Sequence, residues 1–449
     1  MPTVALAMIV RNAGVHLERC LASVQGAVDE IVIGDTGSRD GTPERARQLG
    51  ARVLQVPWED DFARARNRVL EAVTADWVLV LDADERLDAS GREEIPVLIQ
   101  VAGCDGYLVT IRNYVFTLAH RLWDTPAVPN DHRLPEADPY PGYVAHENVR
   151  LFRRRPEVYF VGRVHETVGG RIVELGGQLG RARFVIHHFG LVADPETAAQ
   201  KTELYRRLGR QKILERPHDA QAYFELGLVE FDNYHNDAEA ARLFEQACRL
   251  NPGLAVGWLF LGLARARLGE HGRALEAYAQ ARRLGYSVPL LDEAEGDARY
   301  NRGDFEQARR CYRRALEKTF GRAELLSKLG LADVRAGRPA VGLQRLREAV
   351  ALWPELAEVH DRLIQALVWL DRLEEAAAAA ERKLQQVAPQ PEDYLRAASI
   401  RARRGERGRA AALVLAGLER FPRHERLRAA AAELQPELLL VRNEGAAGG

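Results

Sequence analysis

The sequence predicts a two-part protein, an α/β domain followed by an all-α repeat array, and three observations predict it. Short apolar runs suited to buried strands alternate with amphipathic stretches up to about residue 190. From about Asp194 the apolar period becomes that of helices. Beyond residue 219 the chain repeats itself every 34 residues.

In chain order, VALAMIV (4–10), EIVIGD (30–35), ARVLQV (51–56) and DWVLVLD (76–82) are near-continuous apolar runs, as strands buried on both faces require. Between them His16 to Val24 puts Leu17, Leu21 and Val24 on one helical face, and Phe62 to Val73 does likewise, giving three βαβ units. Residues 114–146, rich in Pro, His and Asp, read as a long functional loop over a site. VRLFRR (149–154), EVYFVG (157–162) and RFVIHHFG (183–190) are expected to complete the sheet. The expected divisions are 1–192 for the α/β domain, 193–218 for a linking helix, 219–435 for the repeats and 436–449 for a disordered tail ending NEGAAGG.

The repeat shows in four columns. Ala240, Ala274, Ala308, Gly342, Ala376 and Ala410 stand 34 apart, as do Gly262, Gly296, Gly330, Ile364 and Ala398, with Gly227 one residue out of phase. Phe244, Tyr278, Tyr312 and Leu346 form a third, and Ala247, Ala281, Ala315 and Ala349 a fourth. Such columns read as a helix pair per unit, small residues letting the helices approach and the aromatic filling the space between. The pattern resembles the tetratricopeptide repeat, in about six units, with Ile364, Ala380 and Lys383 as departures that could mark capping.

Lys plus Arg (63) balance Asp plus Glu (64) to a net charge of −1, with 47% hydrophobic and 28% charged residues. That excludes a disordered chain and a nucleic-acid binder driven by bulk charge. Cys20, Cys104, Cys248 and Cys311 have no C-x-x-C spacing, so reduced thiols in a cytoplasm are expected in place of a zinc knuckle or disulfide framework. The run Val4 to Val10 lacks a preceding basic flank, and no stretch approaches the ~20 apolar residues of a transmembrane segment.

In a parallel α/β sheet, ligands bind beyond the carboxyl ends of the strands. Those positions read Arg11-Asn12, then Asp35-Thr36-Gly37-Ser38, then Asp82-Ala83-Asp84-Glu85. A lone D-x-D is most often a solvated turn, but this one ends a buried apolar strand. Two carboxylates one residue apart can both face a hard cation that neutralises a diphosphate. G-x-x-x-x-G-K-[ST], G-x-G-x-x-G and G-x-S-x-G are absent, which removes ATPase, dehydrogenase and serine-hydrolase readings.

With MIVRN, DEIVIGDTGSRDGT, DDFARARN, DWVLVLDADE, VRLFRRRPEVYFVGRVHE and HHFG in order, residues 1–190 resemble family 2 glycosyltransferases of the nucleotide-diphospho-sugar transferase (GT-A) fold. The resemblance implies inverting transfer of a sugar from a nucleotide-sugar, a UDP-sugar first, with Mg²⁺ or Mn²⁺. By it Arg11, Asn12, Asp35, Gly37, Arg66, Asn67 and Asp82 would line the donor, Asp35 through the nucleotide base. Asp82 and Asp84 would hold the metal, with His188 completing its shell and His165 or His187 as substitutes. Glu166 would take the acceptor proton, with Asp131, Glu136 and Asp138 in reserve. Ala13 departs from the family's usual acid, and Thr36 replaces the second Asp of D-D-G-S.

Solenoids of this kind bind extended peptides or proteins. The expected acceptor is therefore a protein or peptide recruited by the repeats, or else a cell-envelope glycan; self-association as a homodimer is the other use of the repeats. The alternative is a non-catalytic tetratricopeptide scaffold with a degenerate nucleotide-sugar-binding domain. The intact Asp82 and Asp84 favour the enzyme.

Overall fold

The computed structural model describes residues 1–116, 121–122, 125–132, 134–190, 195–319 and 323–434. The expected division at 192/193 and the NEGAAGG tail lie outside the described residues. The chain forms two compact units, Met1–Pro252 and Gly253–Gly449.

The first unit opens with β1 (Val4–Val10), α1 (Gly14–Val24), β2 (Glu30–Asp35), α2 (Thr42–Gln48), β3 (Arg52–Gln55), α3 (Phe62–Ala72) and β4 (Trp77–Val80), the three expected βαβ units. β5 (Glu85–Leu87), α4 (Ala89–Leu98), β6 (Gly106–Val115), the short β7 (Arg121–Leu122), β8 (Thr125–Pro126) and β9 (Val128–Pro129), β10 (Gly142–Arg153), α5 (Gly169–Glu174) and β11 (Leu179–His188) follow. The main sheet runs β3-β2-β1-β4-β10-β6-β11-β5, with β9 against β10. β1 is parallel to β2 and β4, while β10 is antiparallel to β4 and β6. Alternation along β1 builds two cores: Leu6 and Met8 pack with Leu17 and Leu21 of α1, and Ala5 and Ala7 with Val69 of α3. The chain moves outward from β1 to β3 and then returns to place β4 on β1's other side, which makes the carboxyl ends of β1 and β4 a topological switch point.

Two sequence expectations change. The stretch 114–146 is less of a loop than its composition suggests, because β6 extends to Val115 and β10 begins at Gly142. There Tyr114 is fully buried, its ring stacked on Phe189 at 5.1 Å. EVYFVG is not a strand; it makes one isolated bridge, Val161 to Thr167. Val158 and Phe160 supply its apolar pattern by filling the α3-side core. The main chain of Phe160 finds its partner in a side chain: Asn67 Nδ2 donates to its carbonyl at 3.0 Å and Asn67 Oδ1 accepts its N–H at 2.8 Å.

This unit continues through α6 (Pro195–Glu215), α7 (Ala220–Leu228), a π-helical turn at Val229–Asn233, and α8 (Asp237–Leu250). A π turn takes up one extra residue, which accounts for Gly227 being out of phase.

The second unit is all α: α9 (Ala255–Arg267), α10 (His271–Arg283), α11 (Pro289–Asn301), α12 (Phe305–Glu317), α13 (Ala323–Arg335), α14 (Pro339–Leu352), α15 (Ala357–Trp369), α16 (Leu373–Gln386), α17 (Pro391–Arg403), α18 (Arg407–Arg420) and α19 (Glu425–Glu433). Odd-numbered helices begin at 255, 289, 323, 357, 391 and 425, so each start falls 34 residues after the last. A Cβ on Gly296 would lie 2.5 Å from the Tyr312 ring, and one on Gly262 would collide with Tyr278, so the glycines are what let the paired helices close. At the departures, Ile364 and Ala380 are buried in one cluster, and buried Lys383 pairs with Asp361 at 2.7 Å and Asp393 at 2.6 Å. Helix pairing continues past them into α17 and α18, so they do not end the array. Among the described residues no helix is long and apolar enough to cross a membrane, and all four cysteines are free.

Candidate active site

The loops after β1 and β2 brace each other at the switch point. Asn12, at φ +53°, accepts the Arg39 N–H at Oδ1 (2.8 Å), while its own N–H donates to Ser38 Oγ (2.9 Å). Asp35 is buried and accepts the N–H groups of Gly37 (3.3 Å) and Ser38 (3.2 Å); Gly37 sits at φ +105°, where a side chain would be strained. Arg11 is exposed at the end of β1. Of the expected donor residues here, Arg11 is exposed, whereas the Asn12 side-chain oxygen is spent on its neighbour loop.

Asp82 and Asp84 follow β4 but face different partners. Asp82 accepts from Arg66 Nη2 at 2.8 Å and lies 4.0 Å from Arg150 Nη2. Arg66 Nε reaches Glu166 at 2.6 Å, so one guanidinium from α3 joins the D-x-D triplet to the expected base. Burial works against an ionised Asp82, yet Arg66 and Arg150 hold its pKa below the usual carboxylate range. Arg66 Nη1 is buried with no partner among the described residues. Glu85, unassigned by the sequence reading, is a fully buried anchor: it accepts the Asp82 N–H (2.8 Å) and Arg150 Nη2 (2.8 Å). Asn67, expected at the donor, spends both ends of its amide on Phe160 and so holds the segment leading to Glu166.

His188 is oriented through Asn113. Val144 O can only accept, so the Asn113 amide nitrogen must face it (3.0 Å), which turns Asn113 Oδ1 to His188 Nδ1 at 2.7 Å. His188 Nδ1 therefore carries a proton, and Nε2 is aimed at Asp84 Oδ2, 3.5 Å away. The other Asn113 hydrogen goes to His146 Nδ1 (2.8 Å). Burial first, then Arg150 and His188, push His146 down to about 4, which keeps it a neutral acceptor near pH 7.

This donor set fits a divalent cation at two points. A carboxylate oxygen and an imidazole nitrogen converge beside Gly190, where an added Cβ would collide with both Asp84 Oδ2 and His188 Nε2. No third His, Cys, Asp or Glu joins them among the described residues, and Asp82 is turned to its arginines. Mg²⁺ commonly takes one or two carboxylates, with substrate phosphates and water filling the rest of its shell.

The substitutes and reserves lie elsewhere. His187 points to the opposite side of β11, toward Tyr114 OH (2.8 Å) and Asp88 (3.4 Å). Asp131 pairs with Arg112 (2.8 Å), Asp138 with His132 (3.1 Å), and Glu136 is exposed. His165 rests its ring on Tyr205 at 5.6 Å.

Tyr205 belongs to α6, the helix expected only to link. It also meets Phe62 at 6.1 Å, and Lys201 Nζ lies 5.7 Å from its ring. Further along, Arg207 pairs with Asp60 (2.9 Å), Lys212 Nζ donates to Val164 O (3.3 Å), and Glu215 pairs with Arg163 (2.5 Å). The signal was present at Lys201, Tyr205, Leu208, Lys212 and Glu215, an alternating four-and-three spacing on one helical face. Its polar members hid it.

Residues 6–157 match the family model described as Glycosyl transferase family 2. A TPR repeat-containing protein of Synechococcus elongatus is 33% identical over 294 residues, 63% of this chain and 66% of its own. The SPbeta prophage-derived glycosyltransferase SunS of Bacillus subtilis is 25% identical over 167 residues, 37% of this chain and 34% of its own. The chain thus spans less than two thirds of the length of these curated relatives. Among solved structures, a tetratricopeptide repeat protein from Parabacteroides merdae aligns with 53% of this chain and 94% of its own, at 12% identity and a TM-score of 0.43.

Proposed function

We propose that the protein is an inverting glycosyltransferase that moves a sugar from a nucleotide-sugar, a UDP-sugar first, to an acceptor. One observation carries the reading: at the switch point Arg66 ties Asp82 to Glu166 beside the convergent pair Asp84 and His188, with Arg66, Asp82 and Asp84 inside the matched residues 6–157. Asp84 and His188 would hold Mg²⁺ or Mn²⁺, which when bound supplies positive charge against a leaving diphosphate. Arg11 and Arg66 would bind the donor, and Asp35, held by its own loop N–H groups, would accept from the nucleotide base. Glu166 would take the acceptor proton: Arg66 Nε donates to its Oε1 and orients the carboxylate for that step. The helical repeats would present the acceptor, a protein or peptide or else a cell-envelope glycan.

The test is nucleotide release from UDP-, GDP- and TDP-sugars by the purified protein, with Mn²⁺ or with EDTA, beside Asp84→Ala. Metal-dependent release that the variant loses supports the reading and names the donor. Nucleotide-sugar binding without release, with every acceptor class supplied, would favour the scaffold instead.

A further inference from the structure

This inference rests on the glycosyltransferase reading. A nucleoside diphosphate carries at least two negative charges, and it would have to settle beside Asp82, Asp84, Glu85 and Glu166. The two arginines among these acids spend most of their charge on them, Arg66 on Asp82 and Glu166 and Arg150 on Glu85 and Asp82, leaving Arg66 Nη1 and Arg150 Nε without partners among the described residues. A further cation on the donor's side would add to Arg11, Arg66 and the metal.

Helix α6 brings one. Tyr205 packs edge-on against His165, the residue before Glu166, and against Phe62 at the start of α3, the helix that also bears Arg66. Lys201, one turn earlier on the same face, sets its ammonium 5.7 Å from the Tyr205 ring. Among the described residues Lys201 has no ion pair within 4 Å. Tyr205 first, then Asp84 and Asp82, raise its ammonium above the usual lysine range. The helix is held in place by Arg207 on Asp60, Lys212 on Val164 O and Glu215 on Arg163, while Leu208 is fully buried.

We propose that Lys201 is a diphosphate-binding residue of the donor site and Tyr205 the positioning residue that carries it, which makes α6 a wall of that site. An ammonium carried on a ring that packs against His165, next to Glu166, and without an ion pair of its own among the described residues is open to phosphoryl oxygens, and lysine serves phosphate as a compact point charge.

The test is calorimetric titration of the full-length protein with UDP and with uridine, in Mn²⁺, for the unaltered chain, Lys201→Ala, Lys201→Arg and Tyr205→Ala. The expected result is UDP binding about 10- to 100-fold weaker in Lys201→Ala, the range of a lost charge-assisted hydrogen bond, with uridine binding unchanged. Lys201→Arg should stay within about threefold of the unaltered protein, and Tyr205→Ala should weaken UDP but not uridine. Equal UDP binding by the unaltered chain and Lys201→Ala overturns the inference alone. An unaltered chain that binds no nucleoside diphosphate, GDP and TDP included, overturns the glycosyltransferase reading and this inference with it.

Discussion

Asn67→Ala separates two roles for one side chain. The family resemblance puts Asn67 on the donor, whereas its amide makes two hydrogen bonds, at 3.0 and 2.8 Å, to the main chain of Phe160. Each such bond is worth roughly 1 kcal/mol net, so removing both frees the segment by about 2 kcal/mol. In hydrogen exchange read by mass spectrometry, that corresponds to about a 30-fold loss of protection across residues 157–167. UDP affinity should be unchanged, while turnover falls because Glu166 is no longer held against Arg66. Asn67→Asp should fall between, keeping the acceptor for the Phe160 N–H and losing the donor to its carbonyl. Unaltered exchange over 157–167 together with weakened UDP binding would refute the bracing role and restore Asn67 to the donor site.

Three more outcomes are expected. Glu166→Gln should lower kcat by about 10²- to 10⁴-fold with UDP affinity kept, the pattern of a lost general base; a matched loss of affinity would make Glu166 structural. A fragment ending at residue 192 lacks the α6 contacts to Asp60, Val164 and Arg163, so it should aggregate or melt well below a fragment ending at 252; equal melting temperatures would sink that view. Gly296→Ala should cost roughly 1–2 kcal/mol in urea unfolding, because its Cβ meets a Tyr312 ring anchored by a hydrogen bond to Asp297 at 2.7 Å. Gly272→Ala, which meets open space, is the control expected to be neutral.

What the sequence revealed follows from which forces are local. The strands β1, β2 and β4 were legible because burial on both faces writes a continuous apolar run. The helix pairs were legible because close approach demands a small residue at a fixed spacing. EVYFVG misled because Val158 and Phe160 alternate like a strand, while the partner for that backbone is a side chain 93 residues away. Asp84 and His188 could be expected together from the ends of their strands, but Asp82's turn toward Arg66 and Arg150 depends on tertiary placement that no local pattern records. Glu85 and Lys201 escaped for the same reason: a buried acid and a helix-borne lysine look like surface charge until their surroundings are known.

The fifth helix pair of the array carries a history in its core. Ile364 occupies the column that holds Gly262, Gly296 and Gly330 before it and Ala398 after it, and Ala380 the column that holds Tyr278, Tyr312 and Leu346, with both residues buried. Exchanging large and small across such a pair conserves volume, yet either single step is poor. Enlarging the glycine first drives a side chain into the facing ring, and shrinking the ring first leaves a cavity that costs roughly 3–5 kcal/mol. The two changes must become established almost together, and reversal meets the same barrier. The exchange is therefore hard to undo one residue at a time, and Ile364 and Ala380 act as one packing unit.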